Sequence, residues 1–396
     1  MFRQTVAVLA VLIAGALPIA AHAAPAQQPI FGAYYPGGSA ERYPVSSIPA
    51  ERLTHLFYAF STIEDGRCTV GAEAPKNFAA LAELKKAHPH LRTLISIGGW
   101  GAGGFSDAAL TETSRKRLVD SCMALFFERH AGSFDGVDID WEFPVSGGPR
   151  ELAHRPQDRA NLTRLAQAFR QALDARGRKV GQPLLLTAAL AAGRLQTDGP
   201  YDPAASYDLP ALARVFDFIN LMSYDMGTGF SSVSTFNAPL HEVPADPLAP
   251  ELRRWNNVAG AVQYYRERGV PADKLVLGAP FYGRGFKVTG VAPDGLYQPY
   301  SAPADAGDWR VIKARYLDHP GWTRHWQPQA QSPWLYNAEQ KVFISYEDPR
   351  SIGLRAQFAR EQGLAGVFMW ELTGDDEQAS LLNAMLGPWQ KARIGD

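Results

Sequence analysis

Eight short apolar runs recur along the chain. They are IFGAYY (30–35), HLFYAFS (55–61), RTLISIGGW (92–100), FDGVDIDWEF (134–143), PLLLTAALAA (183–192), FDFINLMSYDM (216–226), KLVLGAPFYG (274–283) and GVFMWELTG (366–374). Between them lie stretches of helical periodicity: FAALAELKKAH (78–88), SRKRLVDSCMALFFERH (114–130), DRANLTRLAQAFRQALDARG (158–177), NVAGAVQYYRERG (257–269) and SIGLRAQFAREQG (351–363). Gly or Pro punctuates many of the joins. Near-continuous apolar strands that alternate with amphipathic helices predict a parallel sheet covered by helices. Eight such units predict an α/β fold, a closed (β/α)8 barrel. An open doubly wound sheet is the rival, but the first strand-helix junction lacks a GxGxxG phosphate loop. The least regular unit is the first, where Tyr35 to Arg52 is rich in Pro, Gly and Ser.

One spacing departs from the rhythm. The seventh run ends near Tyr282 and the eighth begins near Gly366, about 80 residues on, roughly twice what one strand-helix unit needs. The intervening segment, 286–345, predicts a small α+β insertion, with a strand candidate at KVFISY (341–346). The catalytic barrel then comprises 24–285 and 346–396. Residues 1–23 read as a secretory signal: Arg3, an apolar core from Val6 to Ala21, and the small-x-small site Ala21-His22-Ala23. An uncleaved anchor helix is the alternative. No second run of 18 or more apolar residues follows, so no membrane span is expected after cleavage. In an oxidising compartment Cys68 and Cys122 could pair, or Cys122 could be a small buried hydrophobe in its helix.

The fourth run changes the picture. Val137, Ile139, Trp141 and Phe143 alternate with Asp138, Asp140 and Glu142. On a strand this puts the apolar set on one face and three carboxylates on the other, spaced about 6.5–7 Å apart. A barrel strand is covered on both sides, and an unpaired buried carboxylate is costly. A metal site is one reading, since hard cations take carboxylate oxygens. No His-x-His or His-x-x-x-His lies near these acids, so no metal and no cofactor is expected. The other reading is acid catalysis, because adjacent like charges raise the pKa of at least one member. Glu142, outermost and longest, is then the candidate proton donor, and Asp138, deepest, a support.

Active sites of such barrels lie at the C-terminal ends of the strands. Ser96 and Trp100 end the third run, Met222, Tyr224 and Asp225 the sixth, Tyr282 and Arg284 the seventh, and Trp370 and Glu371 the eighth. Each alone has a plainer reading: core packing for Trp370 and Tyr282, a surface cation for Arg284, a rim position for Glu371, and a turn-supporting cap for Asp135. The net charge of −1 suggests no nucleic-acid or membrane-surface partner. Nine Trp, 15 Tyr and 20 Phe suit an uncharged, flat-faced ligand such as a sugar.

SIGGW, FDGVDIDWEFP, MSYD, FYGRGF and WELTGD together resemble glycoside hydrolase family 18, the chitinases. The likeness spans all eight runs, and the insertion after FYGRGF resembles that of the deep-cleft subfamily. It implies a secreted or periplasmic chitinase, without cofactor and monomeric, that acts on β-1,4-linked N-acetylglucosamine chains. It also implies substrate assistance, in which the sugar's own acetamido oxygen attacks in place of an enzyme nucleophile. In that scheme Glu142 protonates the glycosidic oxygen, Asp140 orients the acetamido N–H, and Asp138 shares a proton with Asp140. Tyr224 contacts the acetamido group, Asp225 bonds the neighbouring sugar, and Trp370 floors the distorted ring. Tyr282, Arg284, Trp100 and Met222 line the cleft, while Ser96 and Asp135 support it. Alternatives are a chitin-binding lectin without activity and an endo-acting enzyme that trims N-glycans. Where relatives often show YYPGW, this chain reads YYPGG, with Gly37 and Gly38, which predicts a weaker distal sugar platform.

Overall fold

The computed structural model describes residues 28–196 and 201–392. The signal sequence expected at 1–23 lies outside the described residues. Eight parallel strands form the barrel: Ile30–Pro36, His55–Glu64, Arg92–Gly98, Gly136–Asp140, Leu185–Ala191, Phe218–Met222, Leu275–Pro280 and Gly366–Trp370. Each pairs with its chain neighbour, and the first also pairs with the eighth, which closes the ring. Closure leaves no edge among these strands. Their burial is nearly continuous because side chains point either into the barrel or under the helices.

The helical layer departs from strict alternation at the first unit. Among the described residues no α-helix joins the first two strands. Three 3₁₀ turns, Gly37–Ser39, Val45–Ser47 and Ala50–Arg52, do so instead, each led by a proline, Pro36, Pro44 or Pro49. Proline removes a backbone donor and restricts its predecessor, so a continuous helix is denied there. Among the helices that escape the periodicity are Leu209–Val215, too short to show it, and Ser380–Ala392, beyond the last strand. The former is capped by Asp208, whose side chain accepts from the Ala211 amide.

Between the seventh and eighth strands lies a five-stranded antiparallel sheet. Its spatial order is Tyr300–Ala304, Arg284–Val288, Val342–Ser345, Ser332–Asn337 and Trp322–Gln327, with a helix at Trp309–Arg315. Phe286, Val288, Trp334, Tyr336 and Phe343 give it a core of its own, to which Phe236 of the barrel loops contributes. The first strand of this sheet starts at Arg284, inside the FYGRGF stretch, so the insertion and the rim of the barrel share one continuous segment. Cys68 and Cys122 form a disulfide that clips the Arg67–Thr69 strand to the Glu112–Cys122 helix.

Candidate active site

The fourth strand is regular only through Asp140; Trp141 and Glu142 have left the ladder. The expected alternation nonetheless holds. Val137 and Ile139 are buried on one face, and Trp141 stacks on Phe105 with ring centroids 5.2 Å apart. Asp138 and Asp140 lie on the other face, toward the barrel axis. Non-proline cis peptides follow Ala59, Glu142 and Trp370, all at the C-terminal rim.

Asp138 is wholly buried. In the parallel ladder Ser96 and Thr187 stand opposite it on either side. The Ser96 hydroxyl donates to Asp138 Oδ2 at 2.7 Å, Tyr34 donates to the same oxygen at 2.9 Å, and Thr187 donates to Oδ1 at 2.6 Å. Asn220 in turn donates to the Tyr34 hydroxyl at 3.0 Å. Burial pushes the Asp138 carboxyl up, and the three hydroxyl donors, which favour the carboxylate, pull it back.

Asp140 is buried, and its Oδ1 has no partner among the described residues. Burial pushes its carboxyl well up, and the charges of Glu142 and Asp138 push the same way. Its backbone is clamped by the SIGGW glycines. The Gly99 amide donates to the Asp140 carbonyl at 2.9 Å. A Cβ on Gly98, whose φ is +119°, would lie 1.9 Å from that carbonyl.

Glu142 stands partly open at the groove above. Burial of its surroundings, and then the charge of Asp225, raise its carboxyl to about 8, against the pull of Arg284. Asp225 is fixed in the left-handed region, φ 56°, by its own amide donating to Asn237 Oδ1. Its Oδ1 accepts from Tyr282 at 2.6 Å and from Arg284 Nε at 2.8 Å, with Nη2 at 2.7 Å. Arg284 is thereby held on Asp225, near enough to Glu142 for its charge to lower that carboxyl.

These groups meet in a cavity of about 460 Å³. Asp140, Glu142, Tyr224, Asp225, Tyr282, Arg284, Trp100, Met222 and Trp370 line it, so nine of the sequence-derived candidates are brought together. Ser96 and Asp138 lie just beneath. Trp370 stacks on Phe60 at 5.6 Å and leans on Tyr34 at 5.5 Å, and Trp100 is 56% exposed at the mouth. Asp135 does not join the site. It sits before the first residue of its strand, paired with Lys85 at 2.9 Å and with the Thr93 amide, where it serves the fold. Glu371 also stays off the cavity wall, with Oε1 held by Thr373. Tyr34, Phe60, Thr187, Asn220, Gln196, Thr228 and Phe230 complete the site and were not singled out by sequence. Thr187 and Asn220 carried a signal, a polar residue at an axis-facing register inside an apolar run. Gln196, Thr228 and Phe230 sit on loops, where periodicity says nothing.

The profile of the glycosyl hydrolases family 18 matches residues 31–375. The chain belongs to glycosyl hydrolase family 18. It is 40% identical over 309 residues to chitinase A1 of Niallia circulans, covering 76% of this chain and 43% of that one. It is 33% identical over 375 residues to a probable endochitinase of Caenorhabditis elegans, covering 89% and 56%. The chain thus spans about half the length of these two relatives. Among solved structures, a family 18 N-acetylglucosaminidase from Paenibacillus barengoltzii superposes with a TM-score of 0.80 at 32% identity, over 91% of this chain and 100% of that one.

Proposed function

We propose that this chain is an exported chitinase that hydrolyses β-1,4-linked N-acetylglucosamine chains by substrate-assisted acid catalysis with retention at the anomeric carbon. The observation that carries the reading is Glu142: a carboxyl at the open face of the cavity, raised to about 8, with a buried aspartate pair behind it. A carboxyl that keeps its proton at neutral pH is suited to be a general acid. Glu142 gives its proton to the glycosidic oxygen as the C1–O bond breaks. The acetamido carbonyl oxygen of the same sugar attacks C1 and forms an oxazolinium ion. The Glu142 carboxylate then takes a proton from the water that opens this ring.

The cavity supports the sugar's supplying the nucleophile. Asp138 and Asp140 project from the strand that also leads to Glu142. The remaining cavity carboxylate, Asp225, is engaged by Tyr282 and Arg284. Asp140 faces the positive charge that develops on the acetamido nitrogen, and Asp138, fixed by Ser96, Tyr34 and Thr187, takes up a share of its proton. Tyr224 bonds the acetamido oxygen. Trp370, backed by Phe60 and Tyr34, is the flat floor for the ring. Trp100, Met222, Tyr282 and Arg284 shape the walls. Chitinase activity named for the relatives supports the substrate, and the signal sequence read at 1–23 supports the export. The test is a product time course on N-acetylglucosamine oligomers of graded length; the reading expects cleavage that disappears in Glu142→Gln.

A further inference from the structure

In an eight-stranded ring the fourth to sixth strands stand opposite the eighth, first and second. Trp370, Tyr34 and Phe60 therefore wall one side of the cavity, and Glu142, Gln196, Thr228 and Phe230 the other. The proton donor must face the oxygen that departs. The sugar leaving the bond accordingly rests on the loops after the fifth and sixth strands.

Gln196 is built into that wall. Its residue is only 6% exposed, yet it lines the cavity. Its carbonyl accepts from the Gly148 amide at 3.0 Å, tying it to the loop after Glu142. Its Nε2 donates to the Asp225 backbone oxygen at 3.1 Å. That oxygen can only accept, so the amide orientation is fixed with NH₂ toward Asp225. No described residue donates to Gln196 Oε1. Gly193 makes the room: a Cβ there would lie 2.6 Å from Nε2 and 3.0 Å from the Asp225 oxygen. Thr228 locks the same loop from the far side, donating to the Leu195 carbonyl at 3.1 Å while accepting from the Phe230 amide at 3.1 Å.

We infer that Gln196 Oε1 is an acceptor for a hydroxyl or acetamido N–H of the departing sugar, and so a specificity-determining residue of the leaving-group site. The inference rests on the glycosidase reading above. A cavity-lining amide oxygen with no donor among the described residues favours a leaving group that brings one over a leaving group that does not.

The test compares two substrates. One is tri-N-acetylchitotriose, whose leaving sugar carries donors. The other is the 4-methylumbelliferyl glycoside of di-N-acetylchitobiose, whose aryl leaving group has none. In Gln196→Met, the ratio of kcat/KM on the trisaccharide to that on the aryl glycoside falls about three- to tenfold, the worth of one neutral hydrogen bond. The ratio cancels any loss of folded enzyme. An unchanged ratio, or equal losses on both, overturns the inference and leaves Gln196 acting only through Asp225. A second arm measures binding of tetra-N-acetylchitotetraose by calorimetry in Glu142→Gln, with and without Gln196→Met. Binding that weakens about three- to tenfold supports the inference, and binding that does not change overturns it. No binding by Glu142→Gln alone, with no cleavage by wild type, overturns the glycosidase reading and this inference with it.

Discussion

The Thr187 hydroxyl donates to Asp138 Oδ1 at 2.6 Å, while Ser96 and Tyr34 donate to Oδ2. The deepest acid of the strand thus meets hydroxyl donors on both oxygens. A carboxylate so served is a stable acceptor, whereas Asp140 Oδ1 has no hydrogen-bond partner among the described residues. Thr187→Val removes a donor from a buried charge and is expected to cost about 1–3 kcal/mol. Denaturant unfolding of the variant checks this. A midpoint equal to wild type would mean that Ser96 and Tyr34 suffice.

Glu142→Gln keeps the shape of the cavity and removes the donor proton. General acids contribute about 10²–10⁴-fold, so kcat should fall by that order while oligosaccharide affinity stays near wild type. Steady-state rates beside a binding isotherm decide it.

In the proposed mechanism Glu142 works protonated and so sets the pH behaviour. With its carboxyl at about 8, kcat/KM should decline as pH rises through that value. Asp225 raises Glu142 and Arg284 lowers it, so Asp225→Asn removes the upward push and frees the guanidinium. The alkaline limb should therefore move to lower pH. Stability follows the same sign. A carboxyl raised from about 4.5 to about 8 on folding stabilises most fully below 4.5, and its contribution is lost as pH rises through 8. Glu142→Gln should flatten that decline in a series of unfolding curves across pH.

The barrel and most of the site were legible in the chain for a reason that lies in the strands. Period-two alternation at Val137–Asp138–Ile139–Asp140 is dictated by backbone geometry, so three acids facing the axis could be read directly. Ladder partners were harder. Thr187 faces Asp138 only once the parallel register is known, and Asn220 reaches Tyr34 across the barrel. Loop residues carry no periodicity, so Gln196 and Phe230 escaped. Asp135, read as a support for the turn that enters the strand, is held there by Lys85 and the Thr93 amide and does not reach the cavity. The first unit, read as the least regular for its Pro, Gly and Ser, has three proline-led turns in place of a helix.

The Cys68–Cys122 bridge lies on the second- and third-strand connections, away from the cavity-lining residues. It spans a sequence separation of 54 residues. Cys68→Ser with Cys122→Ser should lower stability by about 2–5 kcal/mol and leave turnover at 25 °C intact. Unfolding midpoints and rates on the same preparation read both effects.

The central claim is that the carbohydrate brings the attacking atom while Glu142 supplies the proton. It is tested most directly by the initial cleavage rate of an N-acetylglucosamine oligomer against the same oligomer with every acetamide converted to a free amine. The account predicts rapid hydrolysis of the first and a rate lower by orders of magnitude for the second. Comparable rates on both would contradict it.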